Sequence, residues 1–242
     1  MAYRSDSDLN FLEDVSSSDL DVLVEILIKD KDGSERLTEE LTTNDRYKSY
    51  SPDHHHYWDL IAAEIQCFGA NSLATMFRGG EGVLYKEVLT DVCDKMKVNY
   101  NKDASVEMIE MNLLMKILTE AMKDMSADEL KEIVEDLNLN TTNFTAQAVT
   151  VALQSAVKVS GFAAYQVAVI VANAVAKALL GSGLKFATNA ALTRAMGVFA
   201  GPIGWAITGL WTLVDIAGPA YRVTIPAVIQ VAFLRAQLNK VS

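Results

Sequence analysis

The chain has 242 residues, half of them hydrophobic and 8% aromatic, with a net charge of −10. That length is ample for one large or two small cores, and an apolar fraction drawn from Ala, Val, Leu and Ile rather than from rings suits buried helices. The charge is split, with 30 acids against 14 bases in residues 1–140 and one acid, Asp215, against seven bases in 141–242, a distribution that excludes the clustered positive face nucleic acid requires.

From the N-terminus, MAYRSDSDLNFLEDV is polar and acidic and lacks the apolar run of a secretory signal, so synthesis in the cytoplasm is expected. Asp8 to Asp14 predicts a short helical turn presenting Leu9 and Leu12. In SSSDLDVLVEILI, Ser18 is read as the cap, and Leu20, Leu23, Val24, Leu27 and Ile28 fall at helical spacing. KDKDGSE makes a turn at Gly33, and a third helix is predicted over 35–45. Ser51 and Pro52 mark a boundary.

Beyond it, Trp58, Ile61, Ile65 and Phe68 share one helical face that ends at Gly69. A shorter helix carries Leu73, Met76 and Phe77 and closes on RGGEG. Leu84, Val88, Leu89, Val92 and Met96 make the next amphipathic helix. The polar NYNKDAS loop precedes a long helix over 108–125, rich in Met and Leu. SADE at 126–129 is a capping box opening a helix with Leu130, Ile133, Val134 and Leu137.

At Asn138 the character changes. Asn138, Asn140, Thr141, Thr142 and Asn143 read as a loop, followed by a helix over 145–157. FAAYQVAVIVANAVAKALL at 162–180 is apolar on almost every face, which places it at a bundle centre or in lipid. After GSG and a milder helix over 184–194 comes AMGVFAGPIGWAITGLWTLV, twenty uncharged residues at 195–214. As one helix this run spans about 30 Å, a bilayer's hydrocarbon thickness. Gly201 and Pro202 equally allow two short helices folded into a hairpin. Gly197, Gly201, Pro202, Gly204, Trp205, Gly209 and Trp211 form the candidate membrane or hairpin set, since small residues four apart let helices approach closely. In the last helix, Pro226 is expected in the first turn, with Ile225, Ile229, Phe233 and Leu234 facing inward.

The fold expected is all-α: a multi-helix bundle with an acidic amphipathic front and an apolar, Gly/Ala-rich C-terminal hairpin region. Three parts are expected, at 1–50, 51–140 and 141–242. DIAGPAYRVTIPAVIQVAFLRAQ, with the upstream GPIGWAITG, is similar to the tail signature of the YaaW-like family of bacterial proteins. The motif residues are Gly218, Pro219, Tyr221, Arg222, Thr224 and Pro226. DLNFLEDVSSSDLDVLVEIL resembles the small domain of unknown function that opens that family. The middle, from Trp58 to Val98, resembles the family too and is more distantly similar to the helical domain of ubiquinol–cytochrome c chaperones. The resemblance implies an all-helical protein and brings no catalytic residues with it.

Candidate sites are few. His54, His55 and His56 are adjacent, so their side chains diverge and suit a solvated helix start better than a metal site. Cys67 and Cys93 lack the CxxC spacing or a basic neighbour and are expected as free, buried thiols. GSGLK at 181–185 lacks the phosphate-loop spacing, and RGGEG at 78–82 reads as a plain turn. The methionines of 108–125 suit either core or an adaptable partner groove. Asp215 and Arg222 either form a buried pair or mark the polar tip between two apolar arms.

No nucleophile and base stand at a recognisable spacing, so neither catalysis nor a cofactor or metal is expected. Two functions remain. One is docking on, or insertion into, the bacterial inner membrane through the apolar C-terminal region, pore-forming-like in its strong form. The other is an assembly chaperone or adaptor for a membrane protein complex, with 141–242 as a soluble core or homo-oligomer interface. The partners are accordingly a lipid bilayer or a membrane protein.

Overall fold

A computed structural model of the chain describes residues 3–29, 34–36, 40–69, 82–180, 193, 196–199 and 221–239. It is all-helical in these residues: the one β-type pairing among them is an isolated bridge between Lys29 and Glu35. A 3-10 turn at Asn10–Asp14 precedes α1 (Ser17–Ile28), α2 (Asp45–Tyr50), a 3-10 turn at His54–Tyr57 and α3 (Trp58–Gly69). Then follow α4 (Tyr85–Lys95), α5 (Val106–Met122), α6 (Ala127–Asp136), α7 (Ala146–Val159), α8 (Gly161–Leu180) and α9 (Tyr221–Asn239).

Polar caps set the helix starts. Ser105, Ser126 and Thr145 each accept the backbone N–H three residues on, and Glu129 returns a bond to Ser126, completing the expected capping box. The cap of α1 is Ser16, not Ser18, because the Ser16 hydroxyl is the one that meets the Asp19 N–H. Of the described residues of the helix expected over 35–45, none before Asp45 is helical. The Arg36 N–H bonds to the Ile28 carbonyl at 2.7 Å, folding the chain back on α1, and Thr43 Oγ1 bonds to the Glu40 carbonyl. Asn44 then caps a shorter helix from Asp45. The helix expected around Leu73, Met76 and Phe77 lies outside the described residues, as does most of 184–194.

Packing explains the uncharged C-terminal helices. α8 and α9 form the central pair, and α9 is also flanked by α1, α3, α4 and α5. Val167 to Val175 of α8, and Val223 and Ala227 to Leu234 of α9, are almost wholly removed from water. Each buried Val, Leu or Ile contributes about 1.5–3 kcal/mol, so this pair is the main apolar store of the fold. α8 is long and apolar enough to cross a membrane by length and composition, but 67% of its most apolar stretch is buried within the bundle. A helix apolar on every side is here surrounded by other helices. Pro226 stands well inside α9 rather than in a first turn. Lacking an N–H, it leaves the Arg222 carbonyl without the usual partner four residues on.

Candidate functional site: a methionine-lined groove over a buried arginine

In α5 the spacing 108, 111, 115 puts three methionines on one stripe. Met108 is 59% exposed and Met115 only 7%, with Met111 between, so the stripe runs from rim to floor of a groove. The opposite wall is the end of α7, with Val157 and Lys158, and the start of α8, with Gly161 and Ala164. Ala232, Arg235 and Ala236 of α9 close the floor, and the enclosed volume is about 600 Å³. Other exposed apolar side chains are Val159 and Phe162 on either side of the α7–α8 junction, Val159 lining a second cavity with Asn138 and Ala156, and Leu238 near the end of α9.

Arg235 is the floor's charged centre, 8% exposed. Its Nε donates to Glu110 Oε2 at 2.9 Å, and Nη2 donates to the Asp8 carbonyl. The guanidinium carbon lies 4.3 Å from the centre of the Phe11 ring. The hydroxyl of Tyr85 donates to the other Glu110 oxygen at 2.7 Å. Burial pushes the Glu110 carboxyl up to about 7, against the pull of Arg235. Burial alone would lower Arg235, but the neighbouring Glu110 outweighs it and holds the guanidinium above its ordinary value. Tyr85, buried beside that carboxylate, is raised well above the usual phenol.

The same node ties down the N-terminal segment. Asp6, 4% exposed, accepts the Tyr85 backbone N–H at 2.6 Å and the Gln66 side-chain amide at 3.3 Å. Gln66 also brackets Arg4, accepting from its N–H at 3.1 Å and donating to its carbonyl at 2.9 Å. Buried polar groups are thus satisfied across three separate stretches of chain. None of Asp6, Gln66, Tyr85, Glu110 or Arg235 stands out by sequence spacing. The one available signal was Arg235 itself, an arginine inside the apolar run VAFLRAQL.

Of the residues singled out in the sequence, Met108, Met111 and Met115 among the methionines of 108–125 reach this groove. Gly201, Pro202, Gly204, Trp205, Gly209, Trp211, Asp215, Gly218 and Pro219 lie outside the described residues, and Gly197 is exposed with open space around it. Of the tail motif, Tyr221 lies 5.4 Å from Lys95 Nζ, Arg222 is half-buried, and Thr224 and Pro226 are buried in α9. His54 is not solvated. It is 6% exposed, with Nε2 2.9 Å from Asp21 Oδ1 and Nδ1 on the Tyr57 hydroxyl, whereas His55 and His56 face water. Burial lowers the His54 imidazole, with Asp21 opposing. Among the described residues no three His, Cys, Asp or Glu side chains converge on a possible metal position. Cys67 is half-buried and Cys93 buried, both free thiols. Burial raises them to about 11 and about 12.

Residues 3–37 match a domain of unknown function, DUF3944, and residues 53–230 match the family described as Ubiquinol-cytochrome C chaperone. The latter match runs well beyond the middle segment that suggested it. A UPF0174 protein of Helicobacter pylori strain J99 is 51% identical over 241 residues, covering 99% of this chain and 95% of the relative. A UPF0174 protein of H. pylori strain 26695 is 41% identical over 208 residues, covering 84% and 99%. The UPF0174 protein YaaW of Escherichia coli K12 is 33% identical over 242 residues, covering 98% and 97%. No solved structure matches. The chain therefore belongs to the UPF0174 family of YaaW-like proteins, and in it a DUF3944 segment precedes the match to the ubiquinol–cytochrome C chaperone family.

Proposed function

We propose that this protein is a non-enzymatic assembly chaperone or adaptor that holds an apolar segment of a membrane-complex subunit in the groove between α5, the α7–α8 junction and α9. The observation that carries this reading is the exposed methionine stripe. Met108 and Met111 line a groove walled by Val157, Ala164 and Ala232, and unbranched, polarizable side chains repack around varied partners. The family's description as a chaperone supports it. Of the two functions left open by the sequence, membrane docking rests chiefly on 195–214, of which only 196–199 are described, and draws no comparable support from the described residues.

The test is site-specific photo-crosslinking from Met108 and Met111 in living cells, with an exposed α6 position such as Glu132 as control. The expected adduct is one discrete membrane-complex subunit, absent from the α6 control and lost on Met111→Asp. Adducts identical from both helices, or none, would remove the groove as a client surface.

A further inference from the structure

The groove floor holds an unused donor. Arg235 has five N–H groups; Nε is committed to Glu110 and Nη2 to the Asp8 carbonyl. Nη1 makes no hydrogen bond and keeps only a long ion pair, to Glu107 Oε1 at 4.0 Å. Nη1 is not among the buried atoms left without a partner, so it is open to the groove's water and available to a ligand's acceptor. Glu107 and Lys158 line the same groove, so its charged side chains, Glu107, Glu110, Lys158 and Arg235, sum to zero. Close to Nη1 itself the balance is negative: one guanidinium faces two carboxylates. A fully charged anion is therefore poorly matched there, and a neutral or partly charged acceptor fits.

A helix C-terminus has that character. Its last four carbonyls have no partner within the helix, and they carry about half a negative charge between them. The walls on either side, Met111, Met115, Val157 and Ala232, suit the apolar face of such a helix. We infer that the groove reads the polarity of its client, receiving the C-terminal end of an apolar partner helix whose free carbonyls accept hydrogen bonds from Arg235 Nη1. This rests on the groove being the docking surface proposed above and adds to it the direction of docking.

Two fluorescein-labelled peptides test it, each of about fifteen residues with an uncharged Leu/Ala face, ending in a C-terminal amide or a free carboxylate. Anisotropy with the full chain should show the amide form binding about tenfold more tightly, the scale of one charge-assisted hydrogen bond plus relief of repulsion. Glu107→Gln, at a half-exposed position that leaves the core untouched, should narrow that ratio. Arg235→Lys, which keeps a charge for Glu110 and removes Nη1, should weaken the amide form while circular dichroism is unchanged. A photo-crosslinker at the peptide's C-terminal end should label the Arg235 end of the groove, and one at its N-terminal end should not. Equal binding of both forms that Met111→Asp abolishes would keep the groove as a docking surface and overturn the reading of the helix end. So would crosslinks in the reversed direction. No binding of either peptide would sink both.

Discussion

Arg235 and Glu110 are 125 residues apart in the chain and meet at 2.9 Å with both side chains less than one-tenth exposed. The pair joins the last described helix to the middle of the bundle, and Tyr85 completes it. Removing one partner strands a buried charge. Arg235→Ala is expected to cost about 3–5 kcal/mol, whereas the double replacement Arg235→Met with Glu110→Leu should recover most of that loss. Urea unfolding of the parent and both variants checks this, and an Arg235→Ala chain no less stable than the double would refute it.

The Glu110 carboxyl also sets a pH dependence. Its native value of about 7 lies above the usual carboxylate, so the folded chain binds the proton more tightly than the unfolded one. Its contribution to stability is thus fully present below about 4.3, the ordinary glutamate value, and is lost as pH rises through 7. Glu110→Gln should remove this downward slope in unfolding midpoints measured between pH 5 and pH 8.

His54 runs the other way. Burial lowers it in the folded state, so its contribution is present above about 6.5, the ordinary histidine value, and falls away as pH drops below that. His54→Phe should flatten stability on the acid side and cost about 1–3 kcal/mol at pH 8 by leaving the Tyr57 hydroxyl without its imidazole partner. The difference between variant and parent across pH 5 to 8 is the readout.

Thr224 offers a gain. Its hydroxyl is buried in α9 with no hydrogen-bond partner, so Thr224→Val exchanges an unsatisfied polar atom for a methyl group of the same shape. An increase of about 1 kcal/mol in unfolding free energy is expected, and a loss of stability would show that the hydroxyl is satisfied in solution.

Gly82 offers the reverse. A Cβ there would come within 2.4 Å of Gln66, whose carbonyl accepts the Val83 N–H and whose side chain holds Arg4 and Asp6. Gly82→Ala should cost about 1–3 kcal/mol by overpacking and loosen the N-terminal segment. Faster proteolytic cleavage near residue 10 is the specific sign, since a purely local clash would leave that segment protected.

Helix positions were legible in the sequence because they depend on neighbours in the chain: the inward stripe of Ile225, Ile229, Phe233 and Leu234, and the Ser126–Glu129 box, are properties of a few turns. The errors came where a distant contact decides. At the start of the helix expected over 35–45, Arg36 instead bonds back to Ile28. His54 leaves the solvent because Asp21, 33 residues earlier, lies across from it. Pro226 is tolerated inside α9, where packing on every side outweighs one missing bond. The family was legible in its tail and opening segment, while the groove was not. Its methionines could be noticed, but no spacing in the sequence places Arg235 beneath them.

The bond from Arg235 to the Asp8 carbonyl spans 227 residues. During translation the opening segment emerges long before the helix that clasps it, and α8 emerges before its main neighbour. Until α9 leaves the ribosome, the greasy rod of α8 has only α1, α5 and α7 to cover it, and the leading end stays unfastened. Closure of the core is therefore expected late, and premature termination before residue 235 is expected to yield a product that is sticky rather than merely shortened.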